Sequence, residues 1–468
     1  MLFSINTSAL YIGNEFMNKY SLPLLAVIFS TVSLYATKPH AEDFYEVVDL
    51  GSFAESSYSN AYSINASNQI VGHGDGEGFL AHAFMYENGQ LNSLGFLEYL
   101  IEADEDLGVS RDEGRSLSFD VNDTGIAVGY SLETQTEIIN EGEEDEETIT
   151  TFLEVPVVFG TNNSSITKIP SLESLVEGRN ELQNARAISV NENGIVVGIA
   201  LFDEPNDLNS EGDPSSILLN RGFVFDMNTQ ILIKISPLNG ILTQSITLRD
   251  VDNSGYIVGL STEIEDNFGF ARVVGLDMVS PDVITEFDIS GGSDRQVWSI
   301  NENRKFVGVT SVVNSNDKKA YLYNIDDLTE TDLGTLNNNF VYSEAFDIND
   351  NDQIVGISQT KSQPSIFSGF IYENGEMKDL SKMIGCDTDW IIHEARSINN
   401  NGFITGTGLL NGEARAFMLK PILNQTAPIC EDDSLNTGSG SGSLISIFAI
   451  MSIFGVRRRY SNLNSSIK

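Results

Sequence analysis

Three stretches carry the residue types of a calcium loop. Asp120-x-Asn122-x-Thr124-Gly125, Asp250-x-Asp252-x-Ser254-Gly255 and Asp347-x-Asn349-x-Asn351-Asp352 each place oxygen-bearing side chains at alternate positions, as an EF-hand loop does. That loop ends on a bidentate glutamate at its twelfth position, where this chain has Ser131, Ser261 and Ser358. The Asn and Gly positions are also those of a tight hairpin, in which a short amide bonds backbone two residues on and glycine takes a positive φ. The stretches are therefore read as turns. No cofactor is expected, the metal question stays open, and room is left only for weak calcium binding by loop carboxylates.

Other chemistries have less to stand on. Histidine occurs at His40, His73, His82 and His393 alone, and a hydrolytic triad needs one matched to a nucleophile. No Gly-x-Ser-x-Gly elbow is present, and no Cys/His spacing suits zinc. A glycosidase needs two carboxylates roughly 5 to 10 Å apart; the 67 acidic residues allow that without singling out a pair. No catalytic residue is assigned. Arg115, Arg186, Arg249, Arg295 and Arg396 stand near the starts of repeating units and suggest an anion-binding ring. They are out of register with one another, so they mark no single ring position. One more column alternates: Ser63, Asp120, Ser189, Asp250, Ser299, Asp347, Ser397. Such side chains either line a channel or bond backbone near their own turn, and the second is expected.

These residues all sit in a recurring ten-residue unit, plainest in Ser189–Gly198, that reads as strand, tight turn, strand. Its copies align on the residue opening the turn: Asn65, Asn122, Asn191, Asp252, Asn301, Asn349 and Asn399. Three residues later stands Asn68, Gly125, Gly194, Gly255, Arg304, Asp352 or Gly402, of which Arg304 suits a left-handed position least. Seven residues after the turn residue there is always glycine: Gly72, Gly129, Gly198, Gly259, Gly308, Gly356, Gly406. Inside a strand, that signals a bulge or a close backbone neighbour. An aromatic-aliphatic strand follows, as in Ala83–Tyr86 or Phe417–Leu419, then a fourth strand such as Gln90–Gly95 or Thr331–Gly334. Four-stranded units at a period of roughly 50 to 70 residues are propeller blades with loop insertions. The seventh unit lacks a fourth strand, while Val47–Gly51 resembles one and has no unit of its own. The expected fold is all-β: a seven-bladed propeller of four-stranded blades over residues 44–422, closed by the N-terminal strand pairing with Ala416–Leu419 in the last blade. Closure removes the exposed edge.

Residues 1–41 read as a leader with a signal peptide: Asn18-Lys19-Tyr20, then the apolar run Leu22–Leu34, with Met17 as a plausible true start. Residues 423–443 read as a linker ending in Asn436–Ser443. Residues 444–468 read as a short apolar helix, Leu444–Val456, followed by Arg457-Arg458-Arg459, short for a membrane span and suited to a sorting tail. In an exported chain Cys386 and Cys430 are expected to form a disulfide, worth about 4 kcal/mol by loop entropy. A net charge of −41 disfavours nucleic acid as a partner. Insertions at Glu98–Arg115, Glu137–Glu147 and Ala200–Asn220 fall on connections that leave a blade opposite its Asn-x-x-Gly turns. They are read as polar loops, on the side where repeat proteins often bind.

Two resemblances have residues behind them. The units resemble the HAF-type extracellular repeats of bacterial secreted proteins, with His82-Ala83-Phe84 spelling the label, over about Phe44–Ile422. The whole chain looks like a proteobacterial family built from such repeats. The tail resembles the GlyGly-CTERM signal: Gly438, Gly440 and Gly442 among serines, a short apolar helix, and Arg457, Arg458 and Arg459. The glycines alternate with serine, so the Gly-Gly pair itself is missing. This likeness implies cleavage by a rhombosortase-type protease, type II secretion, transient inner-membrane contact through the tail, and a final place at the cell surface or outside the cell. The functional expectation is an exported binding scaffold engaging a protein or glycan on its insertion-bearing face. The alternative is a secreted glycan hydrolase using carboxylates at the channel mouth.

Overall fold

The computed structural model describes residues 44–53, 58–75, 81–97, 115–139, 147–160, 166–170, 184–205, 216–238, 244–265, 268–315, 317–337, 339–362, 365–386 and 388–422. The leader, Cys430, and the tail with Gly438, Gly440, Gly442, Arg457, Arg458 and Arg459 lie outside these residues, as does His40.

Seven four-stranded antiparallel sheets form a ring. Blade 1 is Ser59–Ile64, Ile70–Asp75, Ala81–Glu87 and Gln90–Ser93; blade 2 is Ser116–Val121, Ala127–Ile139, Glu147–Phe159 and Thr167–Lys168. Blade 3 is Ala185–Val190, Ile195–Pro205, Ser216–Asp226 and Ile231–Ile235; blade 4 is Ser245–Val251, Tyr256–Glu265, Phe268–Asp277 and Ser280–Phe287. Blade 5 is Arg295–Ile300, Lys305–Ser311, Lys318–Asn324 and Thr329–Asp332; blade 6 is Ser343–Ile348, Ile354–Ser362, Ser365–Glu373 and Glu376–Asp379. Blade 7 takes three strands from the C-terminal side, Trp390–Ile398, Ile404–Leu410 and Glu413–Ile422, and its fourth from the N-terminal side, Phe44–Asp49. The closing register is Val47 opposite Leu419 and Asp49 opposite Phe417, and the Leu50 N–H extends it to the Ala416 carbonyl. The ring expected from the orphan strand is the ring observed.

Each first strand touches the first strands of both neighbouring blades, so these seven strands stand innermost around the axis. Every one carries a bulge three residues before its turn, where the register slips by one. The glycine column explains how that fits. At each of the seven positions a Cβ would overlap a backbone carbonyl on the first strand, such as Gln296 O beside Gly308 or Glu344 O beside Gly356. In five blades an aromatic side chain lies opposite that glycine: Phe84, Phe223, Tyr321, Phe370 or Phe417. All five are essentially fully buried, and at Gly198, Gly308 and Gly356 the aromatic side chain reaches into the space a Cβ would take. Arg304, the poor fit, takes the left-handed turn conformation anyway, with φ 56°.

Apolar side chains bury between blades, and each interface has its own cluster. Val258 and Leu260 of blade 4 meet Phe306 and Tyr321 of blade 5, and Leu50 and Ala416 meet Ile70 and Phe84 at the join of blades 7 and 1. The structure corrects the reading of two insertions as loops. Ala127–Ile139 and Glu147–Phe159 stay paired as far out as Ile139 and Glu147. Ile195–Pro205 and Ser216–Asp226 stay paired out to Pro205 and Ser216. In blade 2, Thr134, Thr136 and Ile138 alternate with Glu133, Gln135 and Glu137, a pattern that favours strand even in a charged stretch. Residues 98–114, 140–146 and 206–215 of the three insertions lie outside the described residues.

Candidate functional site

The two ends of the axis are built differently. At the end carrying the Asn-x-x-Gly turns, three hydrogen-bonded rings run from blade to blade. The innermost is the Ser/Asp column. Ser63 donates to Asp120 at 2.7 Å, Ser189 Oγ lies between Asp120 and Asp250, and Asp250 accepts the Ile300 N–H. Ser299 and Ser397 both donate to Asp347, and the Ile64 N–H reaches Ser397. The aspartates also accept the next N–H of their own strands, so the expected local bond exists for them; the four serines depart from it and donate to aspartates of neighbouring blades.

One triad in this ring is short of a proton. Ser189 Oγ is 2.9 Å from Asp120 Oδ2 and 2.6 Å from Asp250 Oδ1, and one hydroxyl has one hydrogen to give. Burial, then the Asp120 carboxylate, push the Asp250 carboxyl up to about 7. Asp250 therefore takes up a proton at a higher pH than an ordinary aspartate. Burial raises Asp347 too, though two hydroxyls and two N–H groups serve it.

The second ring is the turn-opening column. Each Asn Oδ1 accepts N–H groups two and four residues on in its own turn, as Asn191 does from Asn193 and Ile195. Each Asn Nδ2 donates to the main-chain carbonyl of the equivalent residue in the next blade: Asn65 to Asn122, Asn122 to Asn191, Asn191 to Asp252, Asn301 to Asn349, Asn349 to Asn399, and Asn399 back to Asn65. Asp252 keeps the in-turn bonds and has no amide to pass on. The third ring went unread in the sequence: the N–H after each turn residue donates to the side chain at the same position in the next blade. Ala66 donates to Asp123, Asp123 to Glu192, Glu192 to Asn253, Asn253 to Glu302, Glu302 to Asp350, and Asp350 to Asn400. It stops at Ala66, which has no acceptor.

These rings account for the calcium-like stretches. Asp120, Asp250 and Asp347 face neighbouring blades, while Asn122, Asp252 and Asn349 hold their own turns. Ser131, Ser261 and Ser358 are buried, Ser131 and Ser358 donating to main-chain carbonyls and Ser261 to Gln244. Among the described residues no three His, Cys, Asp or Glu side chains are grouped to hold a metal ion.

Towards the other end the axis is lined by the bulged residues Tyr62, Phe119, Ile188, Arg249, Trp298, Phe346 and Arg396, each partly exposed. They meet across blades. Tyr62 and Phe119 lie 5.7 Å apart and Trp298 and Phe346 6.3 Å, while the Arg249 guanidinium sits 4.7 Å over Trp298 and that of Arg396 4.1 Å over Phe346. Two residues earlier on the strands stand Glu344 and Glu394. Glu344 accepts from Trp298 Nε1 at 2.9 Å and Tyr342 Oη at 3.0 Å; Glu394 pairs with Arg396 at 2.8 Å. His73 stacks on Tyr62, and burial together with Arg115 holds its pKa down to about 4, so it is neutral. Burial and the neighbouring Asp75 raise the Tyr58 phenol to about 12.

The five singled-out arginines part company here. Arg186 pairs with Glu154 over the Tyr130 ring, and Arg295 donates to the Ile289 carbonyl. Arg249 and Arg396 do share a register, each three residues before its turn residue, which corrects the reading that no two arginines occupy one ring position. Nε of Arg115, Arg249 and Arg396 is buried without a hydrogen-bond partner. His82 packs between Phe53 and Phe96, and His393 lies against Phe367. Cys386 is in a disulfide; its expected partner Cys430 lies outside the described residues.

A family model described as a protein of unknown function (DUF3466) matches residues 109–272, from the approach to blade 2 into the third strand of blade 4. No curated protein matches. Among solved structures, the chain is similar to oligogalacturonate lyase from Vibrio parahaemolyticus, at 11% identity and TM-score 0.47, covering 81% of this chain and 96% of that one. It is also similar to dipeptidyl peptidase 4 from Porphyromonas gingivalis, at 9% identity and TM-score 0.42, covering 78% of this chain. There it spans about half of the other chain, 53%. A third is the sialidase of Trypanosoma rangeli in complex with the inhibitor DANA, at 9% identity and TM-score 0.36, covering 81% of this chain and 60% of that one. Likenesses this distant assign no activity to the chain. Among the described residues no helix is long and apolar enough to cross a membrane.

Proposed function

We propose that the chain is an exported β-propeller that binds a protein or glycan partner on the face opposite its Asn-x-x-Gly turns. One observation carries this: the lengthened hairpins of blades 2, 3 and 4 all leave the ring on that face, while three hydrogen-bonded rings occupy the other. A rigid ring presenting strand-built projections on one side suits recognition. The leader, the HAF-like repeats and the GlyGly-CTERM-like tail support a route through type II secretion, with rhombosortase-type trimming and a final place at the cell surface or in the medium. The disulfide at Cys386 accords with an oxidising compartment. The test is binding of the purified mature protein to the surface of the producing cells. Shortening the blade 2 hairpin between Gln135 and Thr151 should abolish it; undiminished binding would place the partner elsewhere.

A second reading has its own observation. Glu344 and Glu394 occupy equivalent positions on neighbouring innermost strands, which is where a glycan hydrolase would carry a carboxylate pair. Turnover of any polysaccharide in a screen, lost in Glu344→Gln and Glu394→Gln, would favour this reading. Absence of turnover across the screen would remove it.

A further inference from the structure

We propose that Arg249 anchors a binding site on the propeller axis for a singly charged carboxylate carried on a ring. The guanidinium is placed for a ligand and matched by none of its neighbours. Its Nε is buried and has no hydrogen-bond partner, and among the described residues its hydrogen bonding is a long 3.4 Å bond from Nη2 to Gln296 Oε1. Arg186, Arg396 and Arg415 each pair with a glutamate; among the described residues Arg249 has no carboxylate in an ion pair with it. Glu344 acts on it through space, but both Glu344 oxygens are engaged by Trp298 and Tyr342. Asp250, the next residue, turns into the serine ring instead.

A guanidinium with its Nε shut off from water and no carboxylate in an ion pair with it is costly. The cost shows in the guanidinium itself, whose pKa burial lowers to about 10. An anion entering along the axis would remove that cost. Trp298 covers one face of the guanidinium at 4.7 Å, so a carboxylate would approach in the plane of the fork, with the two-pronged bonds it makes there, and would displace the long Gln296 contact. Charge sets the ligand's valence. Arg249 and Arg396 stand against Glu344 and Glu394, two charges of each sign, so a single carboxylate leaves the group one negative in excess and a dianion would leave it two. Trp298 and Phe346 lie 6.3 Å apart, edge to face; each carries a guanidinium over one side, so a ligand ring would stack on the opposite side. The site goes beyond the docking face proposed above: shortening the hairpin tests that face and leaves Arg249 in place.

The experiment is calorimetric titration of the full chain with sodium glucuronate and sodium benzoate, against glucose and benzamide as uncharged counterparts. At least one carboxylate should bind at millimolar concentration or below while its counterpart does not. Glucuronate alone identifies a sugar acid, benzoate alone an aromatic acid. Arg249→Gln should weaken the binding at least tenfold without lowering Tm, and Arg249→Lys, which keeps the charge but loses the fork, at least threefold. The proposal is overturned if neither carboxylate binds, if the uncharged compounds bind equally, or if both variants bind unchanged. A large fall in Tm in both variants also overturns it, because the fold would then already match the guanidinium.

Discussion

The turn end and the hairpin end of the axis use the same seven strands for opposite purposes. At the turn end nearly every polar group is spent on the next blade: amide to carbonyl, hydroxyl to carboxylate, N–H to side chain. At the hairpin end, three to five residues back along the same strands, side chains differ from blade to blade and some cationic N–H groups have no partner among the described residues. Repetition in sequence marks the end that holds the ring together, and departure from repetition marks the end that is free to bind.

Mutations can test that division. Gly356→Ala should cost most, about 3 kcal/mol or more, because a Cβ there meets the Glu344 carbonyl and the Phe370 ring at once; urea unfolding measures it. Asn399→Ala should cost about 2 kcal/mol, since it removes two in-turn bonds and the Nδ2 bond that joins blade 7 to blade 1. Gln296→Ala, at the other end, should cost under about 0.5 kcal/mol. Comparable costs would erase the contrast between the ends.

The two ends should also answer pH with opposite sign. Asp250 has a folded pKa of about 7 against an ordinary 3.8. Its contribution is full below pH 3.8 and fades as pH rises to 7, so Asp250→Asn should flatten a decline in Tm over that range. His73 has a folded pKa of about 4 against 6.5. Its contribution is full above pH 6.5 and is lost as pH falls to 4, so His73→Gln should lessen the loss on acidification. Thermal unfolding from pH 4 to 8 in both variants reads the two slopes; slopes of one sign would refute the assignment. The smallest effect is a gain. Asp252→Asn restores the one missing amide donor of the second ring, towards the Asn301 carbonyl, and should stabilise by about 1 kcal/mol.

Much of the fold could be read from the chain because turn chemistry is local. Asn65 and its counterparts bond within five residues, and the glycine seven positions on answers to a strand paired beside it. The closing strand was legible by subtraction, since Val47–Gly51 had no unit and blade 7 lacked a strand. The links between blades were not legible, because Asn65 and Asn122 meet only once the ring has closed. The third ring was hidden by chemistry: Asp123, Glu192, Asn253, Glu302, Asp350 and Asn400 differ as residue types and agree only in offering an oxygen. Arg249 and Arg396 were obscured by being grouped with three arginines at other offsets.

Seven is odd, and a two-letter pattern cannot alternate around an odd circle without one repeat. Here the repeat is Ser397 beside Ser63, where blade 7 meets blade 1 and, within this ring, an N–H-to-hydroxyl contact of 3.3 Å bridges the gap. Parity therefore assigns the molecule a seam that no substitution of serine for aspartate can abolish, only move. Of all the places where the circle might be cut and its old ends rejoined, this one asks the polar lattice to give up the least.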